Sequence, residues 1–200
     1  MEIIENKDIE RVNSILKNPT KDKKILELNE KDKNGEYPIL CAIRKNNIEI
    51  VQLLIEYALQ HQIILELNEK SKYGNNPLLW AIYENNIEIV KLLIEYANQY
   101  QIILELNEKN KDGQYPLLWA IDNIEIVKLL LEYANQYQII LELNEIDKYG
   151  YYPLSEAIFK NNIEILKLLI EYALQHQIIL EFNEKSKYGK YPLYWAIFLE

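Results

Sequence analysis

The chain has 200 residues, 49% of them hydrophobic and 26% charged, a balance suited to a folded domain with a real core. Its formal net charge of −9 disfavours nucleic acid, whose phosphates are bound by Lys and Arg, and would steer a basic partner towards it. No apolar run approaches the roughly 18 residues of a membrane span, the start MEIIENKDIERV lacks a signal peptide's basic and apolar regions, and Cys41 is the only cysteine. These features together suggest a reducing, intracellular and cytoplasmic setting.

One segment recurs along the chain, seen almost complete as NNIEIVKLLIEYANQYQIILELNEKNKDGQYPLLWAI from Asn85 to Ile121. Gly35, Gly74, Gly113, Gly150 and Gly189 mark its copies at spacings of 39, 39, 37 and 39, and Pro38, Pro77, Pro116, Pro153 and Pro192 keep the same spacings. A unit this small cannot bury its apolar face alone, so neighbouring copies must stack into one continuous core.

From the N-terminus, residues 1–30 share the register: Ile9, Glu10 and Val12 align with Ile48, Glu49 and Val51. Polar Arg11, Asn13 and Ser14 replace Ile50, Gln52 and Leu53, and Pro19 interrupts the second helix, as an end cap with one wet face requires. Each later copy starts with a Gly turn and a Pro suited to a helix's first turn, giving a short first helix such as Pro77 to about Glu84. Asn85 and Asn86 then break that helix, since Asn tolerates the left-handed conformation and caps the next helix. In the second helix Glu88, Lys91, Glu95 and Gln99 form a solvated stripe, while Ile87, Val90, Leu93, Ile94 and Ala97 cover a wide apolar arc.

Two copies depart from this. AIDNIEIV at Ala120 to Val127 lacks two residues relative to AIYENNIEIV. Inside the packed second helix that loss would rotate the apolar face by about 200°, so it must shorten the turn between the helices. The last copy stops at Glu200 before any second helix, which suggests either a piece of a longer array or a last helix that docks elsewhere.

The stretch DKNGEYPILCAIRKNNIEIVQLLIEYA from Asp32 to Ala58 resembles the ankyrin repeat: a Gly turn, Thr-Pro-Leu-His, an Ala-rich first helix, and Ile-Val-x-x-Leu-Leu in the second. The likeness recurs through essentially the whole chain from about Ile9. It implies an all-α fold, an α-α solenoid of stacked helix-turn-helix repeats with short β-hairpin-like loops. One solenoid would span 1–200, with a cap at 1–30, repeats at 31–69, 70–108, 109–145 and 146–184, and an incomplete repeat at 185–200.

The departures from the family pattern carry expectations of their own. Tyr37, Asn76, Tyr115, Tyr152 and Tyr191 hold the Thr position, and Leu40, Leu79, Leu118, Ser155 and Tyr194 the His position, so the Thr/His network is absent and apolar packing is expected to replace it. Tyr57, Tyr96, Tyr133 and Tyr172 stand where the family has the Gly that ends the second helix. With the repeat about six residues longer than the usual 33 or so, the second helix is expected to run on and stop near Gln101.

Catalytic chemistry finds little support. His61 and His176 sit at one repeat position three copies apart, too far to share a metal at about 10 Å per helix layer. Cys41 has no partner His for a nucleophilic pair, and the single glycines of the turns form no phosphate loop. Glu49, Glu88, Glu125 and Glu164 read as a solvated ladder rather than paired acids. No cofactor or metal is expected, and the reading is non-catalytic.

Differences among the copies concentrate in the turn tips and first-helix ends. The positions are Asn34, Tyr73, Asp112, Tyr149 and Tyr188; Glu36, Asn75, Gln114, Tyr151 and Lys190; and Arg44, Tyr83, Phe159 and Phe198. In ankyrin proteins the matching positions line the concave groove that contacts partners, and Tyr is favoured in interface hot spots. The expected partner-binding residues are therefore Asn34, Glu36, Arg44, Tyr73, Asn75, Tyr83, Asp112, Gln114, Tyr149, Tyr151, Phe159, Tyr188 and Lys190, meeting a protein or peptide, a basic one fitting best. Trp80, Trp119 and Trp195 suit either inter-repeat packing or the groove. The alternatives are a structural spacer or self-assembling array that associates through its open C-terminal end, and the targeting arm of a longer multidomain protein.

Overall fold

A computed structural model of the chain describes residues 4, 6, 8–17 and 26–182. The elements among them are all helical: α1 (Ile9–Lys17), α2 (Pro38–Arg44), α3 (Ile48–His61), α4 (Pro77–Tyr83), α5 (Ile87–Tyr100), α6 (Pro116–Ala120), α7 (Ile124–Tyr137), α8 (Pro153–Phe159) and α9 (Ile163–Gln175). The chain divides into two compact units, one ending at Leu104 and the other beginning at Glu105. In the first, α2 pairs with α3 and α4 with α5; the short helices α2 and α4 pack side by side, and the long helices run α1, α3, α5. The second repeats the scheme, with pairs α6–α7 and α8–α9, α6 against α8, and α7 against α9. Stacked helix pairs are the expected all-α repeat architecture.

Local chemistry sets each boundary. Pro38, Pro77, Pro116 and Pro153 open the short helices, where a missing N–H leaves no acceptor unpaired. Asn46, Asn85 and Asn161 take left-handed φ values of 50°, 52° and 52° and reverse the chain. The next residues, Asn47, Asn86 and Asn162, cap the long helices, each Oδ1 accepting from the N–H of Ile50, Ile89 or Ile165 at 3.1 Å. Copy three shows where its two missing residues went: α6 is only five residues long. No left-handed Asn precedes Asn123, which still caps α7. The expectation that the turn shortens needs correcting: three residues separate the two helices in copy three (Ile121, Asp122, Asn123) as in copy two (Glu84, Asn85, Asn86), so the loss falls on the short first helix. The buried face of α7, with Ile126, Val127 and Leu130, still matches Ile89, Val90 and Leu93 of α5, as the helical period demands.

The long helices continue past the tyrosine at the family's Gly position, as the sequence implies. They stop where Gln62, Gln101 and Gln138 adopt φ of 56° to 57° and turn N–H groups back on the last helical carbonyls. A left-handed cap is thus retained a turn later, carried by Gln rather than Gly.

The expectation that apolar packing alone replaces the Thr/His network needs correcting, because tyrosine hydroxyls supply a different one. Tyr37, Tyr115 and Tyr152 are fully buried at the N-caps of the short helices. Their hydroxyls reach one repeat onward: Tyr37 donates to the carbonyls of Glu66 and Glu69, Tyr115 to Glu145 O at 2.9 Å and Tyr152 to Glu181 O at 2.6 Å. Burial pushes the Tyr37 and Tyr115 phenols far above the usual tyrosine range. The second set reaches one repeat back. Tyr96 Oη accepts from Leu65 N at 3.1 Å and donates to Ile63 O at 2.9 Å; Tyr172 does the same to Leu141 N and Ile139 O at 3.2 and 3.0 Å.

The ILELN loops are also joined side to side. Asn29 Nδ2 donates to Ile64 O at 2.7 Å while its Oδ1 accepts from Glu66 N at 3.2 Å. Asn107 does so to Ile140 and Glu142, and Asn144 to Ile179 and Glu181. Extended loop backbone carries donors and acceptors that no helix satisfies. The tyrosines and asparagines satisfy them from both neighbouring repeats. The paired motif of tyrosine size and loop asparagine recurs in the sequence, but its partners lie about 30 or more residues away and only stacking brings them together.

Candidate functional site

The turn tips are built on one short polar residue each. In the first unit, Asp32 Oδ1 accepts from Asn34 N at 2.7 Å and Glu36 N at 2.9 Å, and the Glu36 bond foremost holds its carboxyl below the ordinary Asp range. The turn closes with Gly35 N on Asp32 O and Asp32 N on Glu36 O. Gly35 has φ of +71°, and a Cβ there would meet Lys72 N at 3.3 Å, so both the turn and the approach of the next tip call for glycine. That next tip docks by Lys72 N donating to Asn34 O at 2.9 Å. Lys72 Nζ also donates to Asn34 Oδ1 at 2.5 Å and lies 5.0 Å from the centre of the Tyr73 ring.

In the second unit, Asn110 Oδ1 takes the place of the Asp32 carboxylate, accepting from Asp112 N and Gln114 N, and Asn110 Nδ2 donates to Gln114 Oε1 at 3.1 Å. Lys148 N donates to Asp112 O, and Lys148 Nζ pairs with the Asp112 carboxylate at 2.6 Å while lying 4.8 Å from the Tyr149 ring centre. The bond to Asp112 raises the Lys148 pKa. Asp147 Oδ1 accepts from Tyr149 N and Tyr151 N and so fixes the fourth tip.

Geometry sorts the sequence candidates. Tyr73 and Tyr83 in the first unit and Phe159 in the second expose 55%, 57% and 42% of their surface. Tyr149 and Tyr151 are half-buried. Asn34 and Asp112 are engaged in linking tips, and Gln114 in its own turn. Glu36 and Asn75 are buried, and Glu36 forms an ion pair with Arg44 at 2.9 Å. Tyr188 and Lys190, with Phe198 and Trp195, lie outside the described residues. Trp80 and Trp119 are half-buried. The Trp80 ring meets Tyr83 edge to face at 5.4 Å and 81°, so the first unit holds a tryptophan–tyrosine pair at the first-helix end. The sequence shows that spacing, Trp80 and Tyr83 one helical turn apart, but not that the outer ring is open to solvent.

The remaining chemistry is structural. The His61 ring lies tilted against Tyr57 with centres 4.1 Å apart and His176 against Tyr172 at 4.2 Å, where Tyr100 stacks on Tyr96 at 4.6 Å and Tyr137 lies tilted against Tyr133 at 4.5 Å in the other copies. Cys41 is fully buried. Glu156 stands where Cys41, Trp80 and Trp119 stand in other copies; burial raises its pKa, while Lys160, 3.6 Å away and bonded to Asp122 at 2.6 Å, pulls the other way. Among the described residues no group of three or more His, Cys, Asp or Glu side chains is placed to hold a metal ion, and no helix is long and apolar enough to cross a membrane.

Comparison with known proteins agrees with the helix-pair geometry. A family model described as ankyrin repeats (3 copies) matches residues 1–103 and 97–179. The crystal structure of EF0377, an ankyrin repeat protein, superposes with a TM-score of 0.68 at 25% identity, covering 99% of this chain and 89% of that one. No curated protein matches the sequence. Repeats of this kind are in general protein–protein interaction modules and typically non-catalytic. With stacked helix pairs, the repeat turns and a family match over most of its length, the chain belongs to the ankyrin repeat family.

Proposed function

We propose that this protein is a non-catalytic binding module whose turn tips and first-helix ends grip a protein or peptide partner. The observation that carries the reading is the exposure of Tyr73 and Tyr83 at positions that change from copy to copy, on tips closed by backbone hydrogen bonds and short helices packed in the stack. Exposed tyrosines on a rigid frame bury large area at little entropic cost when a partner arrives. Phe159, with Tyr149 and Tyr151, gives the second unit a comparable aromatic surface. The net charge of −9 favours a basic partner. Glu36 and Asn75 support the tips from within rather than touching the partner, and Arg44 contributes chiefly through its pair with Glu36. Replacing Tyr73, Tyr83, Tyr149 and Phe159 with Ala is expected to abolish capture of a partner from lysate while leaving helical circular dichroism intact. Unchanged capture by that variant overturns the assignment of this face.

A further inference from the structure

A second surface lies in the loops that follow the long helices and lead into the tips. Their residues alternate in burial with period two: Ile64 exposed, Leu65 buried, Glu66 exposed, Leu67 buried, and likewise Ile140, Leu141, Glu142, Leu143. In an extended segment this alternation sends the leucines to the core and the Ile and Glu to solvent on a common side. Isoleucine therefore occupies what the pattern reserves for a polar residue. It does so in every described copy: Ile64 and Ile103 in the first unit expose 57% each, and Ile140 and Ile179 in the second expose 51% and 85%.

These loops are held firmly. The carbonyls of Ile64, Ile103, Ile140 and Ile179 each accept from the asparagine of the preceding repeat, Asn29, Asn68, Asn107 and Asn144, at 2.7 to 2.8 Å. Each unit thus presents two isoleucines at equivalent points of adjacent layers, about 10 Å apart for packed helices. In the N-terminal copy the sequence register sets Lys24 at the position of Ile63 and keeps isoleucine, as Ile25, at the position of Ile64.

Charge selects the occupant. Beside the isoleucines stand exposed Glu66, Glu142 and Glu181, on a chain of net charge −9. A second copy would set like charges against each other, and an anionic membrane would be repelled. We infer that this ridge docks a basic amphipathic helix, whose apolar residues at seven-residue spacing, about 10 Å along the axis, match the isoleucine spacing while Lys or Arg meets the glutamates.

The probe is a short fluorescent leucine–lysine peptide with leucines at that spacing, its leucine–glutamate counterpart being the control, read by anisotropy. The intact chain is expected to bind the basic peptide and not the acidic one. The Ile64→Thr, Ile103→Thr, Ile140→Thr, Ile179→Thr variant, which keeps β-branched residues in the loops, is expected to bind at least tenfold more weakly. Glu66→Gln with Glu142→Gln and Glu181→Gln, which leaves every isoleucine in place, is expected to weaken binding several-fold and flatten its salt dependence. The Tyr73→Ala, Tyr83→Ala variant is expected to bind as the parent does, which separates this ridge from the tip face. Unchanged binding by both the isoleucine and the glutamate variants overturns the inference. So does equal binding of the acidic peptide, or a parent dimer in sedimentation that the isoleucine variant abolishes.

Discussion

Tyr96→Phe removes one oxygen atom and tests how the repeats are joined. The Tyr96 residue is 2% exposed, and its hydroxyl accepts from Leu65 N at 3.1 Å and donates to Ile63 O at 2.9 Å in the preceding repeat. The ring, its packing and its stacking on Tyr100 at 4.6 Å are all retained in Phe. What is lost is two hydrogen bonds, one of which leaves the amide of buried Leu65 unpaired. A buried group left without its partner costs about 1–3 kcal/mol, and Ile63, being half-buried, regains part of its loss from water. The expected destabilisation is about 2–3 kcal/mol, a fall in melting midpoint of about 4–12 °C at about 2–4 °C per kcal/mol for a chain of this size. Circular dichroism melts and urea titrations measure it, and amide exchange at Leu65 should accelerate in step. Tyr73→Phe, on an exposed tip ring, is the control and is expected to change stability by less than about 0.5 kcal/mol. If Tyr96→Phe is as mild as the control, the hydroxyl network is dispensable and apolar packing alone joins the repeats.

Gln101 holds a left-handed φ of 56° without glycine's freedom. Gln101→Gly is expected to raise stability by about 0.5–1 kcal/mol, the roughly 1–2 kcal/mol of relieved strain less glycine's entropic cost. Gln99→Gly, on the exposed face within α5, should instead lower stability by about 1 kcal/mol, and equal losses from the two would refute the cap assignment. For Glu156, burial raises the folded pKa above the unfolded value of 4.5, so its contribution is favourable below that pH and lost as pH rises through the folded value. Glu156→Gln is therefore expected to raise stability at pH 7, followed by melting, by less than about 1 kcal/mol, with the gain disappearing near pH 4. A gain that is larger at pH 4 would reverse that sign.

The repeat boundaries, the helix starts and the stops were legible in sequence because each is decided within a few residues. Asn85 must turn the chain left-handed and Asn86 must cap, whatever else surrounds them, and both chemistries belong to Asn. That the two-residue loss in copy three spares the second helix could be read from helical period alone, and α7 keeps its buried face for that reason, but that it shortens the first helix and not the turn was decided by the structure. The extended second helix followed from the missing Gly. Its terminus at a left-handed Gln was legible as a position near Gln101, not as a conformation.

The tyrosine network was not legible, and the reason is distance along the chain. Tyr152 at a Thr position reads as a bulky apolar substitute until stacking sets the carbonyl of Glu181 at 2.6 Å from its hydroxyl. The candidate face divides the same way. Variation among copies pointed to Glu36 and Tyr73 equally, because sequence difference does not distinguish an inward side chain from an outward one. Glu36 is 5% exposed and paired with Arg44, while Tyr73 is 55% exposed. The isoleucine ridge escaped notice for the opposite reason: IILELN hardly changes, and constancy reads as core until the period-two alternation of an extended loop shows which isoleucine faces water. Sequence by itself fixed what each residue's own backbone must do, through left-handed turns, caps and helical period. Only the tertiary structure decided which side chains are satisfied by a neighbouring repeat and which remain exposed, because those partners are 30 or more residues away and meet only when the repeats stack.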